Sequence, residues 1–350
     1  MLLPHGIAGI APGESGTMLR VKFARVLEWR RCGYLRDRDP WKFCEPSTMC
    51  NRNHIELASG YLVRAYEACG KRGALPHGFR LQSGWGEVDI VSTIMAAGAL
   101  RAAGEFLKCQ KLTGYSEQAN SFLAQTLETI PHRELSSSEL THLILHFSHF
   151  PDRMSLLGLG NELRNRPSSS AKAIDLAPDV MVQLALFRVG FDDEMCRQGA
   201  EMRNKTFAEL CMESVAYIEL YKATNSPEAF RMCHDVVEFL MLRFERRKSL
   251  AERTGSEGVR PIYPGACAAF STVLWQFSEL FPDPRFLNAA LKMNEYLKNA
   301  HLSGWVPPEV NGGLRGCDPL FYGDLAYSFP VWSTRFLLQA LIQEEVSLGE

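Results

Sequence analysis

The strongest constraint on the fold is a helical hairpin that recurs along the chain. In three places an apolar helix, a short turn of Gly, Asn, Asp or Pro, and an amphipathic helix follow one another. These places read LTGYSEQANSFLAQTL from Leu112, TNSPEAFRMCHDVVEFL from Thr224 and FPDPRFLNAALKMNEYL from Phe281. With turns near positions 114, 225 and 283, and the first interval spanning two copies, the period is about 56 residues. The 350 residues therefore hold about six hairpins, which must stack because none buries its apolar face alone.

The arrangement of apolar residues indicates how the hairpins stack. Helical periodicity covers nearly the whole sequence and predicts about twelve helices, including one uninterrupted helix from Val88 to Leu112. The first helix of each hairpin is the more apolar, as in IVSTIMAAGAL from Ile90, which is typical of a helix buried on both sides. Short turns on one side and long loops rich in Gly, Trp and Pro on the other favour closure. We therefore predict an all-α toroid, a closed ring of about six hairpins, with an open superhelix as the alternative.

The composition and the extent of the repeat limit which domains and partners the chain is expected to have. The first residues fit no copy of the repeat, so we predict an N-terminal extension over 1–50 and a toroid domain over 51–350. With 46% hydrophobic and 22% charged residues, the chain is able to bury a large core. A formal net charge of −2 predicts no nucleic-acid partner. No segment approaches the roughly 20 apolar residues of a membrane span, so none is predicted.

The cysteines and the N-terminus bear on location and cofactors. Ten cysteines are present without a CxxC pair, and several fall within apolar helical patterns, where Cys acts as a small core residue. No charged start leads into a continuous apolar stretch, so we expect no signal peptide. We predict reduced thiols, a cytoplasmic location, and neither a metal nor another cofactor. The sequence leaves the oligomeric state open.

The first candidate for chemistry is a loop that precedes the apolar helix at Ile90. We predict Glu87 and Asp89 as catalytic carboxylates facing the centre of the ring. His77, Arg80 and Trp85 are predicted to bind the substrate, since a sugar ring stacks on an aromatic side chain. The alternative is that the two carboxylates only cap the helix, whose N-terminus stabilises negative charge.

The second candidate is a glycine-rich loop near the C-terminus. Asp318 and Asp324 are predicted as the opposing catalytic carboxylates, with Trp305 and Tyr322 as substrate contacts. In a closed ring the first and last hairpins are neighbours, so the two loops would face each other. Glycoside hydrolysis needs a carboxylate on either side of the sugar, and a separation of roughly 6.5–9.5 Å indicates inversion. The alternative is a solvated loop shaped by Asx turns.

A turn before another apolar helix allows a different chemistry. The turn RPIYPG brings Tyr263 and Arg260 to the start of an apolar helix. With a His, such a set suits β-elimination from a uronic acid, because Tyr or His moves the proton and Arg neutralises the carboxylate. The alternative is a Pro-bounded turn with a packed Tyr.

One helix face carries three histidines, His142, His146 and His149. Because no carboxylate stands in HExxH register, we predict a packing face rather than a metal site.

Part of the sequence resembles a known superfamily. LQSGWGEVDIVSTIMAAGALRAA from Leu81 resembles the Gln–Gly–Trp repeat of squalene-cyclase and prenyltransferase-type toroids, with a weaker copy at Ser303–Gly304–Trp305. The residues that match in the first copy are Gln82, Gly84, Trp85, Ser92 and Thr93. The final stretch from Gly312 is similar to toroid proteins associated with polysaccharide biosynthesis. The resemblance implies the α/α toroid of six-hairpin glycosidases, a fold shared by glycosidases, lyases, epimerases and terpenoid cyclases.

Departures from these families narrow the function. The Asp–x–Asp–Asp acid motif of class II terpenoid cyclases is absent, and the zinc-binding Asp–x–Cys pair of prenyltransferases appears only reversed, as Cys317–Asp318. We therefore predict a carbohydrate-active enzyme that acts on a poly- or oligosaccharide in the central cavity. The predicted reaction is hydrolysis, β-elimination or epimerisation. One alternative is a non-catalytic helical scaffold in a biosynthetic assembly. The other is a polyene-cyclising toroid, whose dry cavity would be built from Trp85, Phe270, Trp275, Phe321, Tyr322 and Trp332.

Overall fold

The computed structural model describes ten α-helices and three short strands. The described residues are 46–70, 73–148, 154–165, 182, 184–185, 188, 207–247, 262–304, 306–318, 320 and 325–349. The helices are α1 (Asn51–Ala68), α2 (Ile90–Leu107), α3 (Gln110–Thr129), α4 (Ser137–Phe147), α5 (Met154–Arg164), α6 (Phe207–Thr224), α7 (Pro227–Arg247), α8 (Pro264–Leu280), α9 (Pro284–Ala300) and α10 (Val331–Leu348). The strands are β1 (Gly78–Arg80), β2 (Gly84–Trp85) and β3 (Ser328–Pro330).

The helices alternate between an inner and an outer layer. The even-numbered helices contact one another around the ring: α4 with α2, α2 with α10, α10 with α8, and α8 with α6. Each inner helix also packs on an outer one, as α2 does on α3, α6 on α7 and α8 on α9. Because α10 packs on α1 as well as on α2, the last helix completes the hairpin that the first one opens. This arrangement confirms the predicted all-α toroid.

The inner layer consists of the helices that the sequence makes apolar all round. In α8, every residue from Pro264 to Phe277 is buried, whereas the outer α7 and α9 carry one apolar and one polar face. Among the described helices, α2 is long and apolar enough to cross a membrane by length and composition, with 67% of it buried inside the protein. This burial is what the inner position in the ring requires.

The turn between α2 and α3 comes earlier in the chain than the sequence predicts. The chain leaves α2 at Lys108, which takes a left-handed conformation with φ 54°, and α3 begins at Gln110. The expected turn at position 114 is wrong, because Gly114 lies inside α3. The turn is early because α2 and α3 approach closely at Gly104, where an added Cβ would lie 3.0 Å from the backbone nitrogen of Thr113. The helix α5 was not predicted, because its two glycines weaken the helical pattern.

A small antiparallel sheet joins the first and last hairpins. Its strand order is β2-β1-β3, with Phe79 opposite both Trp85 and Phe329. The inner helices α2 and α10 begin just after β2 and β3, so both N-termini lie at this sheet. We call this sheet the seam. It confirms that the first and last hairpins are neighbours.

The seam leaves no room for a side chain at Gly78. A Cβ there would lie 2.5 Å from the carbonyl oxygen of Phe329, whereas one at Gly86 would lie 3.5 Å from its nearest atom. We expect Gly78→Ala to lower the free energy of unfolding by about 1–3 kcal/mol, because the strands must separate. Gly86→Ala should change it by less than about 0.5 kcal/mol. Urea denaturation measures both, and equal stabilities would contradict a closed seam.

A buried polar network ties the other end of α10 to the ring. The carboxylate of Glu344 accepts hydrogen bonds from the Lys298 ammonium at 3.0 Å, the Asn51 amide at 2.8 Å and the Asn294 amide at 2.6 Å. Asn51 begins α1, and the other two partners lie on α9. One carboxylate thus joins three helices, and its charge is compensated inside the core.

A histidine pair lies beside this network. His54 Nδ1 and His301 Nδ1 are 2.8 Å apart, and the Ser47 hydroxyl is 2.9 Å from His54 Nε2. Burial, His301 and Lys298 together lower the pKa of His54 to about 3, and burial lowers that of His301 to about 4. Both imidazoles are therefore neutral at physiological pH.

The lowered pKa values predict a loss of stability in mild acid. Below pH 6.5 the unfolded chain takes up protons on these histidines before the folded chain does, so stability is full above pH 6.5 and falls towards pH 4. Each histidine should contribute on the order of 2 kcal/mol to the loss between pH 6.5 and 5. Urea denaturation at several pH values measures it. The double variant His54→Gln, His301→Gln should flatten the profile, and His234→Gln on α7 should not; an unchanged profile in the double variant would contradict the assignment.

Candidate functional site

The loop before α2 lies at the seam and is held by Asp89. The carboxylate of Asp89 caps α2 by accepting a hydrogen bond from the backbone nitrogen of Ser92 at 2.7 Å, and His77 Nδ1 lies 3.8 Å from it. Burial raises the pKa of Asp89, but the nearby His77 imidazole and the hydrogen bond from the Ser92 backbone nitrogen outweigh it, so the net pKa is lowered. Asp89 is therefore ionised at neutral pH and has the capping role that the sequence offered as the alternative.

The other predicted residues of this loop differ in exposure. Glu87, Arg80 and His77 are exposed at the surface. Trp85 is half-buried, with its ring centroid 5.1 Å from that of Phe79 and 5.4 Å from that of Tyr61. The seam thus brings His77, Arg80, Trp85, Glu87 and Asp89 to one end of the ring.

The structure places Asp318 in the core. Its side chain is 3% exposed, accepts a hydrogen bond from the Tyr296 hydroxyl at 3.0 Å and lies 3.7 Å from Arg315 Nη1. Its backbone pairs with Ile262, next to the buried Tyr263. Asp318 and Tyr263, both predicted as site residues, are therefore buried, and Tyr263 has the packed position that was the alternative. Trp305, Tyr322 and Asp324 lie outside the described residues, as do His149, Arg260 and Phe321.

A cavity of about 430 Å³ lies among the inner helices. Side chains of α2, α4, α6 and α10 line it, together with Leu184 and Arg188. The space exists because small residues face it, notably Gly98 and Ala102 of α2 and Ala216 of α6. No atom lies within 4 Å of a Cβ built at Gly98. The volume is in the range of small-molecule sites.

Polar side chains from several helices converge on the cavity. They are His142 and His146 of α4, Ser148, Arg188, Glu219 of α6, and Arg335 and Gln339 of α10. Nε2 of His146 lies 2.9 Å from the side-chain oxygen of Asn120, and the Glu219 carboxylate lies 3.2 Å from the Lys222 ammonium. The remaining lining is mostly aliphatic. A few polar groups on an apolar wall are typical of a ligand pocket.

Arg335 is the most unusual of these groups. Its guanidinium lies 4.1 Å from the centroid of the Phe336 ring. Burial lowers the pKa of Arg335 to about 10, an effect that the nearby Glu219 carboxylate partly opposes. The side chain remains a cation at neutral pH, in a place where solvent stabilises it poorly.

The sequence predicts a central cavity but not the residues that line this one. None of the described residues that it predicted as site residues lines the cavity, and His142 and His146, predicted to pack between helices, do line it. The sequence carries one indication: Arg335 is the only charged residue from Val331 to Gln343, the part of α10 that precedes Glu344 and Glu345. A lone charge on an inner helix needs either a partner or a polar space.

Within the described part of the chain, no metal site is evident. No group of three or more His, Cys, Asp or Glu side chains there has the arrangement of metal ligands. The seven cysteines in that part are free thiols.

The roles of the two loop carboxylates are separable by stability. We expect Asp89→Ala to lower the free energy of unfolding by about 1 kcal/mol, because α2 loses its N-cap. Glu87→Ala, at an exposed position without a capping bond, should change it by less than about 0.5 kcal/mol. Urea denaturation compares them, and a larger loss for Glu87→Ala would contradict the capping assignment.

Comparison with known proteins relates this architecture to solved structures. No protein-family model and no curated protein matches the chain. An unsaturated glucuronyl hydrolase from Bacillus sp. GL1 superposes with a TM-score of 0.63 at 12% identity, over 85% of this chain and 97% of that one. One described as specific for heparin gives 0.61 at 12% identity, over 86% and 98%. One from Streptococcus agalactiae gives 0.58 at 14% identity, over 87% and 94%. At this identity the likeness concerns architecture: the chain has the α/α toroid fold found in six-hairpin glycosidases.

Proposed function

We propose that this protein is a carbohydrate-active enzyme that acts on a poly- or oligosaccharide in the central cavity. The observation that carries the proposal is the cavity itself, in which polar side chains from α4, α6 and α10 converge on one space inside the toroid. Sites built on rigid elements hold a reacting group more precisely than flexible loops do. The fold supports the proposal as well, since the similar structures are described as glucuronyl hydrolases, one of them complexed with dGlcA-GalNAc6S.

Glu219 is the proposed acid–base residue within the cavity. It is the only carboxylate among the described lining residues. Glu87 and Asp89 at the seam are proposed as rim residues, together with His77, Arg80 and Trp85. A single carboxylate beside cationic groups supplies the proton transfer that hydrolysis, β-elimination and epimerisation each include. Glycoside hydrolysis by paired carboxylates needs a second one from outside the described lining.

The polyene-cyclase alternative gains no support from the lining. Its aromatic wall was to include Phe270, Trp275 and Trp332, but all three are buried in the core and are not lining residues. Among Phe, Tyr and Trp, the described lining holds only Phe336, beside two histidines and several charges. Cyclisation of a hydrocarbon through cationic intermediates needs an aromatic wall without charged side chains.

Filling the cavity tests the proposal directly. Gly98→Phe places a ring in open space within the cavity, so the fold should persist while kcat/KM falls by at least about tenfold. The assay follows unsaturated glucuronyl disaccharides by the ultraviolet absorbance of their double bond. Glu219→Gln should lower kcat strongly with little change in stability.

Gly98→Ala is the matched control. A methyl group leaves the cavity open and stabilises α2 by roughly 0.5–1 kcal/mol, so turnover should be retained. Circular dichroism verifies that each variant is folded. Full turnover in Gly98→Phe would exclude the cavity as the reaction site.

A further inference from the structure

We infer that the cavity binds the anionic group of its ligand through Arg335, so that the ligand is a saccharide carrying a carboxylate or a sulfate ester. The inference rests on the proposed function for the saccharide part of the ligand. The anion part follows from the cavity alone. Three observations support the anion part: the position of Arg335 in the cavity, the charges around it, and the Phe336 ring beside it.

The first observation is a cation without a described counter-ion. Among the described residues, no carboxylate forms an ion pair with Arg335, although the residue is only partly exposed to solvent and burial lowers its pKa. Arginine is rarely buried unless it is paired, because removing its charge from water is costly. Since Arg335 lines a cavity, the space beside it is available for the missing anion.

The second observation is the balance of charge within the cavity. Arg188 adds another cation to the lining, and Glu219 supplies the one carboxylate of the described lining. That carboxylate is already 3.2 Å from the Lys222 ammonium, which reduces what it contributes to Arg335. The cavity is therefore electropositive, and an electropositive space with apolar walls strengthens its attraction for an anion.

The third observation is the orientation that Phe336 imposes. With its guanidinium carbon over the ring, 4.1 Å from the centroid, Arg335 has one face covered by Phe336 and its N–H groups left for other partners. That edge matches the two oxygens of a carboxylate or a sulfate in a bidentate contact. The aliphatic lining then faces the apolar face of the sugar ring rather than its hydroxyl groups.

Calorimetric titration with three small ligands tests the inference. Glucuronate, glucose 6-sulfate and glucose differ in the group attached at one carbon. We expect the intact protein to bind at least one of the two anions at least about tenfold more tightly than glucose. The tighter of the two identifies the anion, and the preference should weaken as salt is added.

Variants of Arg335 test its role. Arg335→Met should abolish the preference for the anion, and Arg335→Lys should retain part of it. The control is Arg101→Gln, which removes an arginine that is 66% exposed and paired with Glu105. This control should leave the preference for the anion unchanged. Arg335→Met should also raise the melting temperature, since it removes a buried cation, whereas a purely structural arginine would lower it on removal.

Equal binding of the three ligands by the intact protein would overturn the inference, as would an unchanged preference in Arg335→Met. If Arg335→Met does not fold, an undiminished preference in Arg335→Lys overturns it. Anion preference without turnover of any saccharide would refute the proposed function and leave the anion site standing. Turnover of neutral oligosaccharides without anion preference would support the proposed function and refute the anion site.

Discussion

The whole arrangement depends on backbone pairing between the two ends of the chain. When β1 pairs with β3, Phe79 and Phe329 become neighbours, and the N-termini of α2 and α10 are fixed side by side. An inner helix buries its apolar surface only if it has an inner neighbour on both sides. Without the seam, α2 and α10 would each expose one side to water, and no enclosed space would remain between them.

A second, chemically different contact holds the opposite end of α10. At the seam the joint consists of backbone hydrogen bonds and aromatic packing, whereas around Glu344 it consists of a compensated charge. Buried charges tolerate few alternative partners, because an uncompensated one is costly. The polar network therefore selects the register in which α1 and α9 meet α10, and the seam supplies the apolar burial. Together they keep the axis of α10 in place, and with it the position of Arg335.

The architecture was predictable from the sequence, whereas the residues that line the cavity were not, for physical reasons. Alternation of apolar and amphipathic helices is a property of local sequence, so the layers and the ring were predictable. The turn after α2 was not, because Gly104 permits a close approach that only the folded hairpin reveals. The short strands of the seam carry little pattern of their own. Predicted site residues were sought in polar loops, yet the cavity lies between helices, and its lining is assembled from residues far apart in sequence, such as Gly98 and Arg335.

Ring closure also has a consequence for biosynthesis. The hydroxyl of Tyr61 donates to the carbonyl of Phe329, a partner 268 residues further along the chain. During translation, α1 and α2 emerge early and have no inner neighbour on one side until β3 and α10 have left the ribosome. A chain dominated by such distant pairings folds slowly and exposes apolar surface while it waits. A nascent chain that stops before β3 therefore has neither a seam nor a cavity, and it offers chaperones and proteases the inner face of α2.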